Sequence, residues 1–140
     1  ESKVFIAAKE VKVIDGYAKT EGSNWEAIIF AGHHKLDNLI LLIDYNKLQS
    51  FGSVKDTLDI EPLREKFKSF GWNVNEIDGH DYIQIEKVLL RAKKSKQKPS
   101  CIIANTIKGK GISFMENKVE WHYKSPDIME YNIAMNELEK

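Results

Sequence analysis

Only one cysteine, Cys101, stands in the 140 residues, so no internal disulfide can brace the chain. It lies in the apolar run Cys101-Ile102-Ile103-Ala104, where a packed thiol is expected, and no neighbour in sequence would activate it as a nucleophile. Excess charge is missing too. Twenty-one lysines and arginines balance 21 aspartates and glutamates, so nothing draws the chain broadly to nucleic acid or to an anionic membrane. No apolar run approaches the roughly 20 residues of a membrane span, and the opening ESKVFIAAKE lacks the extended apolar core of a secretion signal. Internal repeats and a disordered linker are absent as well. The expectation is one soluble, cytoplasmic domain over residues 1–140, with neither nucleic acid nor membrane as a partner.

What is present is an alternation of elements. Three short, branched runs bounded by turn residues read as buried strands: Asn38 to Asp44, Trp72 to Asp78 and Ser100 to Asn105. Two further candidates, Lys3 to Ala7 and Val11 to Ile14, precede them. Ser23 with Glu26 reads as a capping box opening a helix to about Leu36, with Trp25, Ile28, Ile29 and His33 on its apolar stripe. Pro62 suits a first helical turn, Leu63, Phe67 and Phe70 follow at helical intervals, and Gly71 provides a stop. Asp81 with Gln84 opens another helix, turning Ile85, Val88, Leu89 and Ala92 inward. Parallel neighbours require crossovers, so this order argues for an open, mostly parallel α/β sheet with helices on both faces. Ligands then belong beyond the carboxyl ends of the strands, at Asp44-Tyr45-Asn46, Asp78-Gly79-His80 and Asn105 to Gly111.

Several residues at or near that edge take a plain structural reading. The cluster Asp78-Gly79-His80-Asp81 suits a turn followed by an N-cap. His33 and His34 fall inside a helix without a matched ligand pair, which favours packing or a subunit contact over zinc. The basic run Lys93 to Lys98 closes a helix, where cations complement the dipole. Asp44-Tyr45-Asn46-Lys47-Leu48 leaves open two readings. Either its side chains cap a turn, or the Asn46 amide oxygen and a nearby carbonyl serve a magnesium ion, with Asp15 the candidate carboxylate.

Asp15-Gly16 followed about thirty residues later by Asn46 resembles a thiamine diphosphate signature. The surrounding words sharpen the likeness: EGSNWEA (21–27), AGHHKLDNL (31–39), DYNKLQSFG (44–52), FGWNVNEIDGHD (70–81), TIKGKGISFMEN (106–117) and EWHYKSPD (120–127). In this order they resemble the later half of the amino-terminal, diphosphate-binding part of transketolase, particularly the split bacterial kind whose other half is a separate polypeptide. The resemblance implies that Asp15, Asn46 and the Leu48 carbonyl hold magnesium or calcium, and that Gly16 lets the backbone approach the diphosphate. It also implies that Lys108 and His122 line the pocket for thiamine diphosphate and substrate, with His122 the catalytic candidate. Without the resemblance, Lys108 reads as a solvated loop residue and His122 as a partly buried ring beside Trp121.

One difference stands at the first motif. The family's Gly-Asp-Gly-Glu is here Ile14-Asp15-Gly16-Tyr17, with an extra residue before the EGS word. An ungapped match backward from Glu21 sets Gly16 where the aspartate belongs. The family also carries much further chain ahead of this point, so an unassisted sheet would expose an apolar edge and a partner is expected. The implied activity is two-carbon ketol transfer between sugar phosphates or related sugars. It needs a carboxyl-terminal, pyrimidine-binding transketolase subunit together with a homo-oligomeric assembly, because the cofactor sits between polypeptides. The competing expectation is a degenerate, non-catalytic α/β association module of the same ancestry. An unrelated nucleotide-binding domain finds little support, since Gly109-Lys110-Gly111 is too short for the usual glycine-rich phosphate loop.

Overall fold

A computed structural model describes residues 10–14, 21–49 and 52–139. Four parallel strands form the main sheet: β1 (Glu10–Ile14), β2 (Leu39–Tyr45), β6 (Ser100–Asn105) and β5 (Asn73–Asp78), in the spatial order β1-β2-β6-β5. A two-residue antiparallel pair, β3 (Leu48–Gln49) and β4 (Gly52–Ser53), follows β2. The helices are α1 (Gly22–His33), α2 (Val54–Thr57), α3 (Leu63–Ser69), α4 (Tyr82–Lys93) and α5 (Ile128–Leu138), with a 3-10 turn over Val119–His122. The expected strand at Lys3 to Ala7 lies outside the described residues. The other four sequence strands and the open parallel sheet agree with the structure within a residue or two at their ends, but the strand expected to be buried over Trp72 to Asp78 lies at the sheet edge and buries only Ile77 of β5.

Alternation along β2 and β6 divides the core between the two faces of the sheet. Leu41, Ile43, Tyr45, Cys101 and Ile103 point to one side, where Ile28 and Ala31 of α1 and Leu63 and Phe67 of α3 cover them. Ile40, Ile102 and Ala104 point to the other, against Val88 and Ala92 of α4. Both central strands are therefore covered on two faces, which explains why they are almost continuously apolar. Trp72 fixes the first layer: its ring meets Phe67 edge-on at 5.5 Å, and its Nε1 donates to the Ile28 carbonyl at 2.9 Å.

Helix ends obey local chemistry where the chain supplies it. Asp81 accepts from Ile83 N and Gln84 N, and Gln84 Nε2 donates back to its carboxylate, so α4 opens as expected. These bonds, led by the Gln84 side chain, hold the Asp81 carboxyl below its usual range. Gly71, with φ 87°, ends α3: Trp72 N donates to Phe67 O and Gly71 N to Lys68 O. The same hydrogen-bond pattern ends α1 through Lys35, with φ 54°, three residues before the expected limit. Pro62 is the residue before α3 rather than in its first turn.

Two expectations for α1 are corrected. The helix starts at Gly22 with Glu21 as its cap residue, and Ser23 makes no capping hydrogen bond because it already lies inside the first turn. Its buried stripe is Ile28, Ala31 and Gly32 with Trp25 beside them, whereas Ile29 and His33 turn outward. Close approach of the end of α3 selects the face that carries the small residue Gly32: a Cβ there would lie 1.8 Å from the Phe70 carbonyl oxygen.

Candidate functional site

Register brings the carboxyl ends of the strands to one edge. Ile14 is level with Ile43, Tyr45 with Asn105, and Asp78 with the same Asn105. Beyond that line the chain leaves β2 as Asn46-Lys47, β5 as Gly79-His80 and β6 as Thr106-Ile107. An open cleft of about 660 Å³ lies there, lined by Lys47, Asp78, His80, Asn105, Thr106 and Lys110 among others.

Asn46 sits at the exit of β2. Its Oδ1 accepts from Leu48 N at 3.0 Å, and Lys47 between them takes a left-handed φ of 63°. The turn therefore has the capped form foreseen from sequence, and it also carries an amide oxygen and the Leu48 backbone side by side. The preceding Asp44 accepts a short hydrogen bond from Thr106 Oγ1, and Thr106 N donates to Tyr45 O at 3.3 Å. Tyr45 is buried and its hydroxyl donates to Glu61; burial first, then this carboxylate, raises its pKa well above the ordinary phenol range. Asp15 and Gly16 lie outside the described residues.

Lys108 belongs to a tightly folded loop. Lys110 N donates to Ile107 O, Ile112 N to Gly109 O and Asn117 N to Lys108 O. Gly109 has φ 73°, and a Cβ there would meet Met115 atoms at 2.8 Å. Lys108 is half-buried within this loop. His122 is exposed and stacks edge-on against Tyr123 at 4.7 Å, not in the partly buried position beside Trp121 that its sequence neighbour implied. Trp121 instead anchors the 3-10 turn to the Lys108 loop, with Nε1 donating to Phe114 O at 3.0 Å. Cys101 is fully buried, and burial raises its thiol pKa above the ordinary range, as a packed and unreactive cysteine requires.

Two contacts at this edge and one helix start were not read from the sequence. Thr106 joins the β2 exit to the Lys108 loop across 62 positions of sequence. His80, assigned to a turn, accepts from Ile107 N through Nε2 at 2.8 Å. Helix α5 begins with a capping box between Asp127 and Glu130, a local signal that was legible in Asp-x-x-Glu. Among the described residues no group of three or more His, Cys, Asp or Glu could hold a metal. Nor is any described helix long and apolar enough to cross a membrane.

A parallel α/β sheet with a cleft past its strand ends is the architecture of ligand-binding α/β domains. The chain belongs to the family described as "Transketolase, thiamine diphosphate binding domain", which matches residues 5–134. It is 45% identical over 120 residues to the 6-deoxy-6-sulfo-D-fructose transketolase subunit SqwG of Clostridium sp. (strain MSTE9), covering 86% of this chain and 44% of that protein. Over 118 residues it is 47% identical to a subunit of apulose-4-phosphate transketolase from Actinobacillus succinogenes, covering 84% and 42% respectively. The chain thus spans less than half the length of these relatives. The crystal structure of transketolase from Campylobacter jejuni superposes with a TM-score of 0.88 at 34% identity, over 96% of this chain and 21% of that one. Transketolase from Leishmania mexicana, at 24% identity and a TM-score of 0.74 over 94% of this chain and 23% of that one, shares the fold.

Proposed function

We propose that this chain forms the metal and diphosphate floor of a thiamine diphosphate-dependent transketolase, acting with complementary chains in ketol transfer between sugar phosphates or related sugars. The reading is carried by the Asn46 to Leu48 turn, which offers neutral oxygen donors at the carboxyl edge of a sheet belonging to the transketolase family. Such donors suit magnesium or calcium, both of which prefer oxygen. In this reading Asn46 Oδ1 and the Leu48 carbonyl share the ion with Asp15, and Gly16 admits the diphosphate. Lys108 adds a point charge toward phosphate. His122 acts at the sugar entrance as a hydrogen-bonding group, consistent with its exposure. When bound, thiamine diphosphate supplies the nucleophilic carbon that takes up and hands on a two-carbon unit; the protein binds and orients. The complementary chain is a carboxyl-terminal, pyrimidine-binding subunit, in a homo-oligomeric and cytoplasmic enzyme. Two relatives named as transketolase subunits support that division of labour.

Calorimetric titration of thiamine diphosphate with magnesium present, with EDTA, and in the presence of a carboxyl-terminal subunit tests the reading. Binding that requires the metal and weakens at least roughly tenfold in Asn46→Ala supports it, since even outer partners of metal sites are worth that much. Absence of metal-dependent binding in both the isolated and the assembled states overturns it in favour of the association module.

A further inference from the structure

We infer that His80 is a positioning residue for the loop that carries Lys108. The sheet ladder ends where Asn105 is level with Tyr45 and Asp78, so the next two amides need acceptors beyond the paired register, the first at the last residue of β2 and the second off the strands altogether. Thr106 N finds Tyr45 O; Ile107 N finds the ring nitrogen of His80 at 2.8 Å. Nε2 accepts only when it carries no proton, so this bond also sets the tautomer, with the hydrogen on Nδ1.

The turn that presents His80 has little freedom to move. His80 N donates to Asp78 Oδ1 at 2.8 Å, and Gly79 N donates to Asn105 O at 2.7 Å. Gly79 lies so near the β6 exit that a Cβ would fall 2.4 Å from Thr106 Cγ2 and 3.0 Å from Asn105 O. On the far side of Lys108, Asn117 N donates to the Lys108 carbonyl at 3.0 Å. The lysine backbone is therefore clamped on both sides, by His80 through the preceding amide and by Asn117 through its own carbonyl. A histidine that merely filled the turn would not need its ring nitrogen at this amide.

The inference rests on the proposed role of Lys108 in the pocket, but one of its readouts does not. In the full chain, amide hydrogen exchange at Ile107, Lys108 and Gly109 is compared among wild type, His80→Ala and His80→Gln, whose side-chain oxygen can accept in place of Nε2. Loss of the acceptor should speed exchange at these amides by about tenfold, leave Ile102 and Ile103 in β6 unchanged, and be largely reversed in the glutamine variant. Affinity for magnesium thiamine diphosphate should fall about five- to tenfold in His80→Ala and recover in His80→Gln. Unchanged exchange in His80→Ala, or a glutamine variant as impaired as the alanine one, overturns the inference. If wild type binds no cofactor, the proposed function fails, while acceleration confined to 106–111 still establishes the anchoring and its absence refutes it. Should His80→Ala unfold, His80→Leu, which fills the space without an acceptor, takes its place.

Discussion

Replacing Gly79 by alanine isolates the contact between the Asp78-Gly79-His80 turn and the exit of β6. Gly79 is not among the residues with positive φ, so alanine meets no backbone penalty and the cost is steric. The new methyl would lie 2.4 Å from Thr106 Cγ2, 3.0 Å from Asn105 O and 3.1 Å from Ala104 Cβ. Thr106 cannot swing its methyl aside without withdrawing its hydroxyl from Asp44. Overpacking of this kind costs about 1–3 kcal/mol, and the stiffer unfolded chain returns about 0.4–1 kcal/mol. A net loss of about 1–2 kcal/mol follows, which at an m-value near 2 kcal/mol/M moves the urea midpoint down by about 0.5–1 M. Thr106→Ser removes the nearest atom and keeps the hydroxyl. In that background the alanine should cost at least about 1 kcal/mol less, a coupling well above the scatter of independent sites. A midpoint unmoved by Gly79→Ala, or two effects that simply add, would refute the argument that this turn is pressed onto Thr106.

Cys101 should resist a thiol-specific reagent in the native chain and react at once on unfolding, because it is fully buried; native labelling at the unfolded rate would contradict the packing. Burial holds its proton in the folded state, so above about pH 9 the unfolded chain loses a proton that the native chain keeps. Stability should therefore fall with rising pH by up to about 1.4 kcal/mol per unit, and urea titrations should show a flatter alkaline limb in Cys101→Ala. Trp72→Phe removes a buried hydrogen bond to Ile28 O and part of the contact with Phe67, and should cost about 2–3 kcal/mol in urea with the m-value unchanged.

The sheet was legible because its central strands, β2 and β6, are apolar on two faces and its strands are bounded by turn residues, although the edge strand β5 is mostly polar. Ser100–Asn105 agrees to the residue, and Asp81 and Gly71 act at the helix ends as their chemistry demands. What failed was a choice between two adjacent faces of α1. Trp25, Ile28 and Ile29 permit either stripe, and only the approach of Phe70 to Gly32 decides that Ile29 is left half exposed. The capping box at Ser23 failed for a related reason: Ser and Glu three apart mark a start only if the chain begins its helix there, and this helix is capped two residues earlier, at Glu21. Within the candidate site, Asn46 could be placed at a strand exit from sequence alone. Its partners could not, since the bond to Leu48 is local but the ties through Asp44, Thr106 and His80 join distant segments.

Those distant ties join the words that carry the resemblance. Asp44 from DYN receives Thr106 from TIKGKG; Ile107 from the same word donates to His80 of DGHD; Gly79 of DGHD donates to Asn105 just before the loop. Each word alone is a turn at the end of a strand, and none has a core of its own to hold its shape. Joined, they place the backbone of Lys108 relative to the Asn46 turn through two hydrogen-bonded contacts at the β6 exit. The physical unit behind the resemblance is accordingly this set of strand-exit contacts, which ties the backbone around Lys108 to the exits of β2 and β5 through Thr106, Gly79 and His80.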